Sequence, residues 1–187
     1  MAMQQQPPTL SDIPTLRQHA RNRLEEGALT EDYGADRDAI VRILNEALAT
    51  EIVCSLRYRR HYYTAKGIAS AGVAAEFLEH AMQEDEHAGR FAERITQLGG
   101  EPDFSPDTLT ARSHGEYVEG ATLHEMIRED LVAERVAIES YREIIQYVGL
   151  SDPTTRRLFE DVLAVEEEHA DDLLSLIQQL GESQKRT

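Results

Sequence analysis

Two Glu-x-x-His pairs, Glu84/His87 and Glu166/His169, each follow a solitary glutamate at nearly the same distance. Glu51 precedes Glu84 by 33 residues and Glu134 precedes Glu166 by 32. Four carboxylates and two imidazoles in this order are the donor set of a dinuclear iron or manganese site built from four helices. Residues three apart on a helix share a face, so both side chains of a pair can reach one centre. Carboxylate with imidazole suits iron or manganese; zinc also binds such a set but adds no redox chemistry. Either pair alone is weak, since a chain of this composition contains about one such match by chance. A histidine on an apolar face is commonly a packed core residue, and a run such as Glu166-Glu167-Glu168 is commonly a solvated face. Neither explanation accounts for the matched offsets.

Four long helices must carry these residues. The pattern predicts a first helix from about Asp38 to Ala65 and a second from a Ser70 cap to Leu98, stopped by Gly99-Gly100. A third runs from the Thr122/Glu125 capping box to about Val148, and a fourth from Pro153 to Leu180-Gly181. Steps of three and four trace one apolar seam on each helix. The seams read Ile40, Leu44, Ala47, Glu51, Cys54, Tyr58; Phe77, His80, Glu84, His87, Phe91; Leu123, Ile127, Leu131, Glu134, Ala137, Tyr141, Ile144; and Phe159, Val162, Glu166, His169, Leu173, Leu176, Leu180. Every candidate ligand falls on a seam. An unpaired buried carboxylate costs several kcal/mol or takes up a proton, whereas two divalent cations neutralise four carboxylates. Short links make each helix pair an antiparallel hairpin, and the connection from Glu101 to Ala121 must cross the bundle, giving an all-α four-helix bundle with one long crossover. The two hairpins read as a degenerate internal repeat.

The chain divides into an N-terminal extension (1–37) with Pro7, Pro8 and a short helix from about Pro14 to Glu26, a bundle (38–181), and a tail (182–187). At 187 residues and 41% hydrophobic it can bury one core. No membrane span or secretory signal is expected, and the single Cys54 forms no internal disulfide, so the cytoplasm is the expected compartment. A net charge of −16 disfavours nucleic acid and suits cations. Tyr58 and Tyr141 each lie seven residues after a solitary Glu. Both are candidate redox or hydrogen-bonding partners of the metals, with packing the favoured reading for Tyr141. Cys54 could be a ligand or redox thiol and His80 could touch a metal, with packing favoured for both.

Over residues 38–181 the chain resembles bacterioferritin and related di-iron ferritins, through LNEALATEIVCSLRYRRHYY, EDEHAGRFAERITQLGG, REDLVAERVAIESYREII and VEEEHADDLLSLI. The resemblance implies a ferritin-like fold and two Fe per subunit, with Mn or Zn as substitutes. Glu51/His87 and Glu134/His169 are the implied terminal ligands, Glu84 and Glu166 the bridges, and Tyr58 the tyrosine beside the site. Asp85 stands where bacterioferritin carries its haem-ligating Met, so no haem is expected. The extension at the N-terminus and the stop after the fourth helix resemble Dps cages. The combination is similar to the DPS-like group, a bacterioferritin-type site in a Dps-sized shell, though that group's cysteine pair is absent.

These resemblances imply an iron-storage protein with ferroxidase activity. It would oxidise Fe(II) with hydrogen peroxide or dioxygen and mineralise Fe(III) in a homo-oligomeric cage, a dodecamer being favoured over a 24-mer. The alternatives are a rubrerythrin-like peroxidase or manganese catalase, and a Dps-like DNA-protecting protein. Arg17, Arg21, Arg23 and Lys185-Arg186 are the only basic candidates for DNA, and DNA binding is not the favoured reading.

Overall fold

The structure is a computed structural model describing residues 10–27, 29–30, 32–67 and 70–185. Pro7, Pro8, Arg186 and the Lys185 side chain lie outside the described set. The chain forms two compact units, residues 1–33 and 34–187.

In the first unit Asp12 caps helix α1 (Ile13–Asn22), accepting from the Thr15 amide at 2.9 Å. The expected single helix to Glu26 is interrupted: after Asn22 the chain leaves the α region at Arg23 and tightens into a 3-10 turn, Leu24–Glu26.

The second unit is built on α2 (Arg37–Thr64), α3 (Ser70–Gln97), a short α4 (Leu109–Arg112), α5 (Leu123–Val148) and α6 (Pro153–Lys185). The α2–α3 and α5–α6 hairpins pack most extensively, and α2–α5 and α3–α6 contacts close the bundle. None of the helices among the described residues is long and apolar enough to cross a membrane.

Local signals set most boundaries. Asp36 caps α2 through the Ala39 amide, and Gly99 at φ 70 follows the end of α3. The Thr122/Glu125 box closes in both directions, Glu125 N–H donating to Thr122 Oγ1 at 3.2 Å and Thr122 N–H to Glu125 Oε2 at 3.1 Å. Just before it Gly120 has φ +60, and a Cβ there would lie 2.8 Å from the Met126 nitrogen, so only glycine fits. Asp152 accepts from the Thr155 amide at 2.9 Å and holds Arg94 of α3 with both oxygens at 2.9 Å, tying the α5–α6 turn to the end of α3.

Three further expectations shift in the second unit. Ser70 is the first residue of α3 rather than its cap, and its hydroxyl donates to Gly67 O at 2.6 Å. Gly181 does not stop α6, which continues to Lys185. The crossover contains α4, whose Leu109 packs on Ala49 and Val53 of α2.

The rest of the crossover is held by side chains of α2. Arg57 donates to Glu116 O at 2.9 Å, Arg60 to Glu119 O at 2.7 Å, and His61 Nε2 lies 2.9 Å from Glu119 O. Arg57 and His61 both turn to Asp130 of α5, at 2.7 and 2.8 Å, in a network that is wholly buried. A buried ion pair of this kind is costly to break on one side.

Candidate metal centre

Glu51 of α2, Glu84 and His87 of α3, Glu134 of α5 and Glu166 and His169 of α6 converge in the middle of the bundle, each no more than 3% exposed. Their donor atoms form two tetrads. Glu51, Glu84, His87 and Glu166 offer ligand atoms within 4.8 Å of one another, and so do Glu84, Glu134, Glu166 and His169. The tetrads share Glu84 and Glu166. His87 Nδ1 lies 2.9 Å from Glu166 Oε1, 3.3 Å from Glu51 Oε2 and 3.8 Å from Glu84 Oε2. His169 Nδ1 lies 3.2 Å from Glu166 Oε2, 3.5 Å from Glu84 Oε1 and 3.9 Å from Glu134 Oε2.

These proximities are mostly not hydrogen bonds. Glu84 Oε1, both Glu166 oxygens and His169 Nδ1 are buried with no hydrogen-bond partner of acceptable geometry. Orphaned buried polar atoms are rare in native proteins. Lone pairs converging on a common point from four helices fit a pair of cations, which would satisfy them all. His169 Nε2 lies 2.8 Å from Gln83 Oε1, an obligate acceptor, so that nitrogen carries the proton and Nδ1 is left facing the carboxylates.

Without a cation the site holds protons instead. Burial would depress His87, but the carboxylates of Glu166, Glu51 and Glu84 outweigh it and push it up to about 12. His169 moves the same way, its own burial overcome by Glu134, Glu166 and Glu84. Burial, then the neighbouring Glu84, raises Glu51 well above the usual carboxylate range. Burial and the charge of Glu51 lift Glu166 to about 7. Glu134 goes the other way: burial is overcome by His169 and Tyr58, and it falls to about 2.

Both tyrosines touch the centre, in a crossed pattern. Tyr58 on α2 donates to Glu134 on α5, and Tyr141 on α5 donates to Glu51 on α2. Both rings are fully buried. For Tyr141, where packing is the favoured expectation, both readings apply: its ring packs on Phe91 and Phe159, and its hydroxyl donates to a candidate ligand. His80 is likewise more than packing. Its ring stacks on His169 with centroids 4.0 Å apart, and its Nδ1 lies 3.3 Å from the Tyr58 hydroxyl. Burial, helped by His169, pushes His80 down to about 4, so it is neutral. Cys54 Sγ accepts from the Arg57 guanidinium at 3.6 Å, and burial raises its thiol well above the ordinary value. Gln83 escaped sequence reasoning because nothing in its spacing marks it.

Bundle, crossover and buried carboxylate–imidazole tetrads together define a ferritin-like four-helix protein. The ferritin-like domain family matches residues 41–182, and the chain belongs to that family. A bacterioferritin of Desulfovibrio desulfuricans is 31% identical over 153 residues, 79% of this chain and 82% of the relative. A nutrient stress-induced DNA-binding protein of Synechococcus is 30% identical over 130 residues, 68% of this chain and 74% of the relative. Among solved structures, the dodecameric thioferritin that is the bacterioferritin-related protein of Bacteroides fragilis superposes with TM-score 0.78 at 28% identity, covering 82% of this chain and 92% of that one.

Proposed function

We propose that the protein is an iron-storing ferroxidase whose dinuclear site is formed by Glu51, Glu84, His87, Glu134, Glu166 and His169. The observation that carries the reading is the sharing of Glu84 and Glu166 between two tetrads, the layout expected of carboxylates that bridge two ions. Glu51 with His87, and Glu134 with His169, take the terminal positions. Four carboxylates and two neutral imidazoles balance the charge of two Fe(II), which are the substrate. Two Fe(II) give up one electron each. Hydrogen peroxide accepts both with two protons, its O–O bond breaks, and two waters leave. Dioxygen is the second oxidant. The residues act by holding the ions close together in a dry, low-dielectric setting. Tyr58 and Tyr141 orient the terminal carboxylates. Mn or Zn would occupy the same donors.

Fe(III) then mineralises inside a homo-oligomeric shell, for which twelve subunits is the favoured number. Similarity to the dodecameric B. fragilis protein supports that size, and exposed Tyr63, Tyr147 and Leu150 offer apolar contact area for neighbouring subunits. Haem of the bacterioferritin kind is not part of the proposal, because Asp85 replaces the Met ligand and its carboxylate is engaged by Ser55 and Arg59. The proposed compartment is the cytoplasm.

Anaerobic Fe(II) titration tests the reading. About two Fe(II) per subunit at the dinuclear site, and one peroxide consumed for every two irons oxidised, is the expected stoichiometry. Glu84→Ala or Glu166→Ala should abolish fast oxidation with the shell still assembled; wild-type rates in both would refute the bridging roles. Oxygen release from peroxide without net iron oxidation would instead point to a catalase. DNA binding is the second reading, favoured by the Synechococcus relative and opposed by the net charge of −16. Absence of a gel shift at low salt removes it.

A further inference from the structure

Outside the two tetrads, Glu76, His80 and Asp172 form a third group whose donor atoms lie within 4.8 Å of one another. Glu76 and His80 are one turn apart on α3, and Asp172 stands on α6 three residues beyond His169. His80 Nε2 is 3.6 Å from Glu76 Oε1 and 3.8 Å from Asp172 Oδ2, beyond hydrogen-bond length in both cases. The side chain of His80 is only 2% exposed, whereas those of Glu76 and Asp172 are 34% and 47% exposed. The group therefore runs from solvent inward to the ring that stacks on His169.

The tautomer of His80 decides what this group can hold. Tyr58 donates its only proton to Glu134, so its oxygen can only accept from His80 Nδ1–H, 3.3 Å away. Nε2 is then the unprotonated nitrogen. Its lone pair is turned toward Glu76 and Asp172, neither within hydrogen-bond length, from a side chain only 2% exposed. A divalent cation at their common point would be held by all three donor atoms at once. One imidazole and two carboxylates, with the remaining positions open to water, suit a divalent first-row metal ion.

We propose that Glu76, His80 and Asp172 form a third divalent-cation site on the solvent side of the Glu134/His169 tetrad, from which Fe(II) is passed inward. The cation site stands on its own geometry; the inward transfer rests on the dinuclear reading above.

Crystals of the full chain grown without oxygen in Co(II), with anomalous difference maps at the cobalt edge, test it directly. The wild type should show three peaks per subunit, one beside His80. Asp172→Asn and Glu76→Gln alter half-exposed side chains and should fold; each should lose the outer peak and keep the inner two. The double variant Glu84→Gln/Glu166→Gln should keep only the outer one. A wild type with the inner pair alone overturns the proposal, as does an outer peak at full occupancy in both single variants. A wild type with the outer peak alone upholds the third site and refutes the dinuclear assignment. For the transfer step, Asp172→Asn should raise the Fe(II) concentration needed for half-maximal initial oxidation, and an unchanged value overturns that role.

Discussion

Replacing Glu166 by Gln removes a charge from the most crowded point of the centre while keeping its shape. In the metal-free protein Glu166 is 1% exposed, and burial with the charge of Glu51 moves its pKa from 4.5 to about 7. Each tenfold change in proton affinity is ~1.4 kcal/mol, so holding Glu166 ionised above pH 7 costs the folded state about 3 kcal/mol. The sign follows from a carboxyl whose folded pKa lies above its unfolded one. The cost is absent below the unfolded value, grows between the two, and is complete above the folded one. Glu166→Gln should therefore stabilise the metal-free protein by about 3 kcal/mol at pH 8 and by roughly 1 kcal/mol at pH 5. The same substitution removes a shared ligand. The wild type should gain about 2.7 kcal/mol from Zn(II) at a hundredfold excess over its Kd, and the variant should gain little. Urea unfolding followed by far-UV dichroism, at one fixed protein concentration with and without Zn(II), measures both effects. A metal-free variant no more stable than the wild type at pH 8 would refute the electrostatic argument. An undiminished gain from Zn(II) would refute the placement of Glu166 between the ions.

Tyr58→Phe and Tyr141→Phe each deprive a terminal carboxylate of its hydroxyl partner, and each should lower Fe(II) affinity by roughly 10–100-fold; calorimetric titration under argon compares them, and a silent Tyr141→Phe beside an impaired Tyr58→Phe would return Tyr141 to a packing role. Asp130→Ala strands Arg57 and His61 in a site where both are wholly buried; the expected loss is about 3–5 kcal/mol of folding stability, read from the denaturation midpoint. Metal binding at neutral pH should release protons, roughly two from His87 and His169 per pair of ions, because the carboxylates around both imidazoles keep them protonated in the metal-free site. Affinity should thus weaken as pH falls, and titrations in two buffers of different ionisation enthalpy count the protons; no buffer dependence would contradict the charge state derived above.

The four-rod architecture was legible because its signals are local. The Thr122/Glu125 box, Pro153 and the Gly99-Gly100 stop are each decided by a few neighbouring residues, and the structure places boundaries at them. Gly181 misleads for the same reason that glycine is informative elsewhere. A helix interior tolerates it at a cost of about 1 kcal/mol, and here nothing crowds the position and α6 continues past it. What holds the crossover could not be read. Arg57 and His61 look like any polar residues at the margin of a seam, yet both are fully buried against Asp130 and carbonyls some 58–73 residues away. Periodicity reports which face a residue occupies, not which distant partner makes burying a charge tolerable.

The internal repeat explains both the matched ligand offsets and the shared role of the two tyrosines. Tyr58 and Tyr141 hold the same offset from a solitary Glu in each half. A pair related in that way shares one role, and the crossed hydrogen bonds to Glu134 and Glu51 are what a two-fold relation between the hairpins produces. The repeat is equally informative where it fails. Moving from α3 to α6 by the offset that carries Glu84 onto Glu166, Glu76 meets Leu158, His80 meets Val162 and Gln83 meets Val165. Carrying Asp172 back by the same offset lands on Arg90, which is paired with Asp161. One half thus places apolar groups and a cation where the other places a buried imidazole, two carboxylates and an amide. A core that needed only two equivalent ligand sets would have no use for that polarity. The asymmetry confines the proposed outer cation site to the Glu134/His169 side.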